Sequence, residues 1–437
     1  MKGGSCMKFS VYTLGCKVNA YESEYVIEQM QKNGYIKADF NDICDIYIIN
    51  TCTVTNTSDI KSRKIIRQAK RRNPNACVVA MGCFIEANPN YKDEAIDLYI
   101  GTVGKGNIVE LLDDYFKKKE VRKESSALES TSFDKMQLNS FLGHARAFVK
   151  IEDGCENFCS YCIIPFVRGK CRSKKLEDVI NEVKTLVANG YQEIVLTGIN
   201  TGRYGLDIGT SLAILLQELT KIEGLKRLRI SSIEVTELTD EFMKVLKESP
   251  IIVDHLHIPL QAGSDHILTL MERKYNLEEY KNVIKKIRMI RPNISITTDI
   301  IVGFPGETEE DFQDTLKTAR ELAFAKLHVF PYSARKNTKA ADFTNQIDQC
   351  TKKERVTSLL KLDRALQEEY AKKFIGQEVE VLIEEYKNGY SIGHTSNYLK
   401  VKIKQELEPN TFISVHLVDY ANGVCTGKVK ELVECHS

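Results

Sequence analysis

Eight residues, Cys155-Glu156-Asn157-Phe158-Cys159-Ser160-Tyr161-Cys162, carry three thiols at C-x-x-x-C-x-x-C spacing, between Gly154 and Ile163-Ile164-Pro165. A loop this short can wrap three thiolates round one metal centre, and the rest of the chain is organised around it. Iron–sulfur cubanes are normally held by four thiolates. No fourth cysteine stands in tetrahedral register, and Cys171 is the only candidate. Three protein ligands leave one position open, the mark of a reactive metal rather than a structural one. The competing reading is a zinc knuckle or a chance cluster.

At 437 residues the chain has length for two or three domains with sizeable cores. No run approaches the roughly 18 apolar residues of a membrane span. The start, Met1-Lys2-Gly3-Gly4-Ser5-Cys6-Met7, lacks the apolar core of a signal peptide. A cytoplasmic location without membrane attachment is the expectation. Thirteen cysteines are too scattered for a disulfide scaffold, so metal ligands plus buried small residues account for them better. The formal net charge of +1 advertises no nucleic acid, so such a partner must be held by a local patch.

In the N-terminal third, residues 8–14 read as a strand and 19–33 as a helix closed by Gly34. Apolar runs at 45–50 and 76–81 flank a helix at 56–72. This alternation argues an open, mostly parallel α/β sheet. Cys16, Cys52 and Cys83 each follow a strand, so all three project from the carboxyl edge, where such folds bind ligands. They could converge on a second three-ligand cluster. Cys44 and Cys77 read as core. Residues 61–72 carry seven basic side chains and no acid, with Ile65, Ile66 and Ala69 turned to the sheet. Arg63, Lys64, Arg67, Lys70 and Arg71 are therefore candidate RNA-phosphate contacts, the plainer reading being a solvated helix face.

From Arg146 the alternation resumes, with strands expected at 147–151, 193–196, 227–230, 255–258, 294–301 and 326–330. Helices are expected near 176–189, 209–222, 237–248, 276–290 and 309–323, giving a partial (β/α)6 barrel. Residues just after the strands build the site in such barrels. Here these include Gly198, Asn200, Ser232, Glu234 and Gln261. Arg168 and Arg172, just beyond the cluster loop, are candidates to pair with a carboxylate or a phosphate. Cys171 and Cys350 read as structural, and His255 and His257 as packing residues. Thr351-Lys352-Lys353-Glu354 is a capping-box pattern opening a helix to about Phe374. Alternating strands and the Asn388-Gly389 turn then suggest a small antiparallel β-barrel. Residues 376–437 hold six lysines and nine acids. RNA contact there would rest on Lys400, Lys402 and Lys404, with stacking from Tyr390 and Tyr398.

The string Glu152–Gly169 resembles that of the radical S-adenosylmethionine (SAM) methylthiotransferases. Thr13-Leu14-Gly15-Cys16-Lys17-Val18-Asn19, Asn50–Thr55 and Gly82-Cys83 are similar to that family's three auxiliary-cluster motifs. The resemblance covers nearly the whole chain and implies domains at 7–115 (auxiliary cluster), 141–350 (radical SAM) and 376–437 (a TRAM-like barrel). A linker at 116–140 and a connecting helix at 351–375 join them. It further implies two [4Fe-4S] clusters, on Cys16, Cys52 and Cys83 and on Cys155, Cys159 and Cys162. SAM would be held by Gly198, Asn200, Ser232, Glu234 and Gln261, and no catalytic side chain beyond the cluster ligands is assigned. The implied partners are a tRNA anticodon stem-loop and an electron donor such as flavodoxin or ferredoxin. Lys-Val-Asn and Thr-Val-Thr resemble the subgroup acting on carbon 2 of N6-threonylcarbamoyladenosine. The alternatives are isopentenyladenosine or a ribosomal protein as substrate, or a non-enzymatic metal-cluster RNA-binding protein.

Overall fold

The computed structural model describes residues 7–118, 122–124, 130, 132–141 and 143–429. The N-terminal part contains β1 (Lys8–Thr13), α1 (Lys17–Lys32), β2 (Ile36–Lys37), β3 (Ile46–Thr51), α2 (Asn56–Arg72), β4 (Cys77–Gly82), α3 (Cys83–Ala87), β5 (Leu98–Ile100), α4 (Ile108–Lys118) and β6 (Arg122–Glu124). Its strands run in the order β2-β1-β3-β4-β5-β6, every pair parallel. β3 and β4 are buried along all six residues, as a parallel strand covered on both faces must be. One face packs Phe9, Ile46, Ile48 and Val79 under α1 and α4. The other packs Tyr47, Ile49, Val78 and Ala80 under Ile65, Ile66 and Ala69 of α2.

The central part follows with β7 (Arg146–Lys150), β8 (Glu152–Asp153), α5 (Ile164–Arg168), β9 (Arg172–Ser173), α6 (Leu176–Ala188), β10 (Glu193–Thr197), α7 (Leu212–Leu219), β11 (Arg227–Ile230), α8 (Asp240–Glu248) and β12 (His255–His257). It ends with α9 (Asp265–Leu270), α10 (Leu277–Ile290), β13 (Ser295–Val302), α11 (Glu309–Glu321) and β14 (Lys326–Pro331). Parallel sheets β11-β10-β7 and β12-β13-β14 meet through the Ser232–His257 bridge, giving a six-stranded partial barrel. Side chains alternate across a strand. Ala147, Val149, Ile194, Leu196, Leu228 and Ile230 join the helices in the large core. Arg146, Lys150, Glu193, Arg227 and Arg229 take the opposite, inner face.

The stretch 116–140, expected as a linker, differs where it is described. α4 runs to Lys118, and Arg122–Glu124 adds a sixth strand to the first sheet. Met136 and Leu138 are buried in the central core, with Tyr21 Oη donating to the Met136 carbonyl at 2.9 Å. Sparse apolar residues hid this, because packing here depends on residues far away in sequence. Residues 119–121, 125–129 and 131 of that stretch lie outside the described residues.

α12 (Gln349–Lys372) leads to a closed five-stranded barrel, β15 (Glu378–Lys387), β16 (Tyr390–Thr395), β17 (Lys400–Ile403), β18 (Phe412–Ala421) and β19 (Val424–Val429). Four of its pairings are antiparallel, and β17–β19 is parallel. The cap of α12 is Asp348, not Thr351. Its carboxylate accepts from Cys350 N at 2.8 Å and Thr351 N at 3.0 Å, a stronger cap than a hydroxyl because it is charged. The expected barrel residues 430–437 lie outside the described residues. Among the described residues no helix is long and apolar enough to cross a membrane.

Candidate functional site

Three loops at the carboxyl edge of the first sheet bring Cys16, Cys52 and Cys83 together. Cys16 caps α1 and Cys83 opens α3. Asn19 Nδ2 donates to the Leu14 carbonyl at 2.7 Å and the Thr51 carbonyl at 3.0 Å, tying the first two loops. Thr51 Oγ1 donates to the Met81 carbonyl at 2.7 Å and accepts from Phe84 N at 3.2 Å, tying the second to the third. Gly15 has φ +103°, and a Cβ there would stand 3.2 Å from Cys52 Sγ. Burial raises the thiols of Cys52 and Cys83, the latter to about 11, against the pull of Arg168 on both. A metal reverses this by taking the thiolate.

The second thiol loop hangs between β8 and α5. Gly154 has φ +92°, and a Cβ there would meet the Lys170 carbonyl at 2.0 Å. Cys155 N donates to the Gly169 carbonyl at 3.0 Å, and Ser160 N to the Met271 carbonyl at 3.0 Å, pinning both ends. Burial pushes Cys155 and Cys162 up to about 12. Arg273 Nη1 lies 3.1 Å from Cys159 Sγ, and its other nitrogen pairs with Glu234. Cys171 donates to the Gly154 carbonyl at 3.6 Å, at the base of this loop. Among the described residues no three such side chains crowd on one point as ligands of a single ion do. The irons of a cubane stand apart, each taking its own thiolate.

Between the two thiol loops lies a buried charge network that sequence reasoning missed. Glu22 of α1 meets Lys105, Lys150 at 2.8 Å and Arg168 at 3.1 Å. Asp153 meets Lys150 at 2.6 Å and Arg168 at 3.0 Å. Burial alone would raise both acids, but Arg168 and the lysines outweigh it and hold both low, Asp153 at about 2. Arg168 also donates to Asn19 Oδ1 at 2.7 Å, while its buried Nε has no partner. Arg168 is therefore not free for a ligand carboxylate or phosphate. Arg172 donates to the carbonyls of Arg168 and Lys170, so it too serves the loop. Only the pattern of small and polar residues in α1 hinted at this partnership, since Glu22 and Arg168 lie 146 positions apart.

The strand-tip candidates divide. Gly198 is glycine because a Cβ there would meet Glu152 Oε2 at 2.8 Å. That carboxylate accepts from Ile199 N at 2.9 Å and Asn200 N at 2.7 Å, and burial raises it to about 8. Asn200 Nδ2 donates to Glu237 Oε1 at 2.9 Å. Glu152 Oε1, Asn200 Oδ1, Glu237 Oε2 and Ser231 Oγ are buried without hydrogen-bond partners among the described residues, a donor-and-acceptor set that fits a polar ligand. Ser232 contributes its carbonyl to Thr201 rather than a free side-chain contact. Gln261, held at φ +67°, lines a cavity of about 240 Å³ with Val54, Thr55, Tyr161, Cys162 and Asp299. The cavity touches both thiol loops.

A Radical SAM superfamily model matches residues 149–319, and that of Uncharacterized protein family UPF0004 matches 8–101. A threonylcarbamoyladenosine tRNA methylthiotransferase, MtaB, of Bacillus subtilis is 42% identical over 403 residues, covering 90% of this chain and 89% of its own. The chain belongs to the radical SAM methylthiotransferase family. The Thermotoga maritima MtaB is 40% identical and covers 93% of both chains. A tRNA-2-methylthio-N(6)-dimethylallyladenosine synthase of Clostridium botulinum is 36% identical, covering 86% of each. Among solved structures, the radical SAM methyltransferase TsrM of Kitasatospora setae superposes with a TM-score of 0.56 at 14% identity, covering 77% of each chain. As a radical SAM methylthiotransferase the chain is an enzyme, and its cofactors are [4Fe-4S] clusters and SAM.

In this methylthiotransferase the RNA candidates are unequal. Arg67 pairs with Asp93 at 3.0 Å and Lys70 with Asp97 at 2.9 Å. Arg63, Lys64 and Arg71 make no ion pair among the described residues. Lys402 Nζ stands 5.7 Å from the Tyr390 ring centroid, and Lys400 is exposed beside it on β17. Tyr398 is not an open stacking platform. Its ring stacks on His394 at 4.8 Å and lies under Arg229 at 4.5 Å, because it joins the barrel to the central part.

Proposed function

We propose that this chain replaces the hydrogen on carbon 2 of N6-threonylcarbamoyladenosine with a methylthio group, in a tRNA anticodon stem-loop, in the cytoplasm. The observation that carries the reading is the pairing of two three-thiol loops across one buried charge network. A closed structural site would spend a fourth ligand at each. The names of the most similar relatives support the substrate.

In this reading Cys16, Cys52 and Cys83 hold one cluster and Cys155, Cys159 and Cys162 the other. When bound, the reducible cluster supplies an electron that cleaves SAM to the radical able to take an unacidic aromatic hydrogen. The chain's own residues do the rest. Arg273 presents a cation to the Cys159 sulfur, and positive charge near a cluster favours its reduction. The unpartnered atoms of Glu152, Asn200, Glu237 and Ser231 receive the polar ends of SAM, with Glu234 and Gln261 at the rim. The cavity lined by Tyr161 and Thr55 gives the target base a place beside both thiol loops. Arg63, Lys64, Arg71, Lys400 and Lys402 contact RNA phosphate, and a flavodoxin or ferredoxin supplies the electron.

Mass spectrometry of nucleosides tests this after anaerobic incubation of reconstituted protein with SAM, reductant and tRNA bearing either N6 modification. Methylthio addition to the threonylcarbamoyl base alone is the expected result. Addition to the isopentenyl base alone overturns the substrate reading.

A further inference from the structure

Lys17 follows Cys16 directly and opens α1. Lys17 is exposed, and its ammonium lies within electrostatic reach of Arg146, Arg229 and the Tyr398 hydroxyl on the inner side of the partial barrel. The other cations in this group are matched. Arg146 pairs with Glu384 at 3.2 Å and Arg229 with Glu193 at 2.8 Å. The Lys17 side chain has no hydrogen bond or ion pair among the described residues. Near it, Arg229 Nη2 and His255 Nδ1 are buried without hydrogen-bond partners among the described residues, in residues 1% and 6% exposed. A lysine ammonium with no counter-ion of its own, beside a spare guanidinium donor, suits an anion.

We infer that Lys17, backed by Arg229, takes the carboxylate of the target base's N6 substituent and thereby selects N6-threonylcarbamoyladenosine over bases with apolar substituents. This rests on the substrate reading above. Carbon 2 and the N6-bearing carbon flank the same ring nitrogen of adenine. A group that reads the N6 substituent must therefore stand within a side chain's reach of the sulfur delivered at the Cys16 centre. Lys17 is one residue from Cys16. The threonylcarbamoyl group ends in a carboxylate, whereas a dimethylallyl group carries no charge and would leave this cation unmatched. A polar site left unpaired rejects the wrong ligand more strongly than a loose apolar pocket does.

Anticodon stem-loop RNAs carrying N6-threonylcarbamoyladenosine, its methyl ester, or unmodified adenosine are titrated against reconstituted full-length holoenzyme, wild type, Lys17→Met and Lys17→Arg. Iron content and visible absorbance check that both clusters are loaded. Wild type is expected to bind the acid about tenfold or more tighter than the ester. Lys17→Met erases that difference without weakening the unmodified RNA, and Lys17→Arg restores most of it. Equal weakening of all three RNAs by Lys17→Met would make Lys17 a phosphate contact and overturn the inference. So would an unchanged preference for the acid over the ester in the variant. A variant that binds RNA normally but loses SAM affinity would assign the anion to SAM and overturn it likewise. If wild type modifies only the isopentenyl base, the substrate reading fails first and the inference with it.

Discussion

At the scale of single residues, Gly154 is the clearest case of geometry dictating identity. A methyl group there would stand 2.0 Å from the Lys170 carbonyl at φ +92°, so the loop base must open. Gly154→Ala is expected to drop iron from about eight to about four atoms per chain, one cubane of two. Gly34 has a similar φ of +85°, but a Cβ there would meet nothing within 4 Å, so Gly34→Ala should cost about 1 kcal/mol and no iron. Iron assay and thermal melts of both variants separate the two effects; full iron in Gly154→Ala would sink the idea. The grouping of Cys155, Cys159 and Cys162 was legible in the sequence because their spacing puts three thiols on one short loop. The partners of Arg168 were not, because Asn19 and Glu22 come from α1 and Asp153 from β8, far apart in sequence, and they carry no motif.

At the scale of elements, the strands were legible because buried parallel strands are short unbroken apolar runs. The α12 start was not, since Asp348 and Thr351 are both good cap residues and only the fold decides between them. The start of α11 gives a measurable consequence. Burial would raise Asp311, but bonds from Ser264 at 2.5 Å, Thr308 N at 2.9 Å and His266 at 3.0 Å outweigh it, holding it at about 2. A depressed carboxyl contributes stability present above its unfolded value near 4 and lost as pH falls towards 2. Asp311→Asn should therefore cost about 2 kcal/mol at pH 7 and flatten the denaturation profile between about pH 4 and 2. An unchanged slope in that window would refute the assignment. For α2, charge reversal at Arg63, Lys64 and Arg71 should lower the salt slope of tRNA binding by about 0.7–0.9 per phosphate lost. Arg67→Ala and Lys70→Ala, which remove cations already paired with Asp93 and Asp97, should change it far less. Equal slopes for the two sets would return α2 to a plain solvated face.

At the scale of the whole molecule, the two thiol centres must keep register although different parts of the chain hold them. Glu22 locks α1 to β7 and α5 on one side. On the other, Arg335, beyond β14, donates to Thr53 Oγ1 at 2.7 Å, Asp59 at 2.7 Å and Asn56 Oδ1 at 2.6 Å. Thr53 is the residue after Cys52, so this nearly buried guanidinium fixes the second thiol loop against the barrel. Composition and periodicity could not show it, because the bond joins residues about 280 positions apart. Arg335→Met keeps the length of the side chain and removes its donors. Among the described residues no hydrogen bond or ion pair joins the Arg335 side chain to the loop of Cys155, Cys159 and Cys162, so cleavage of SAM to 5′-deoxyadenosine should persist. Methylthio transfer needs both centres in register and should fall by tenfold or more, the effect of about 1.4 kcal/mol of misplacement. The measured quantity is 5′-deoxyadenosine released per methylthio group transferred, at matched iron content. A rise in that ratio is the signature of two intact centres out of register. If both products fall together, Arg335 holds up the fold as a whole and the alignment rests on the Glu22 network alone.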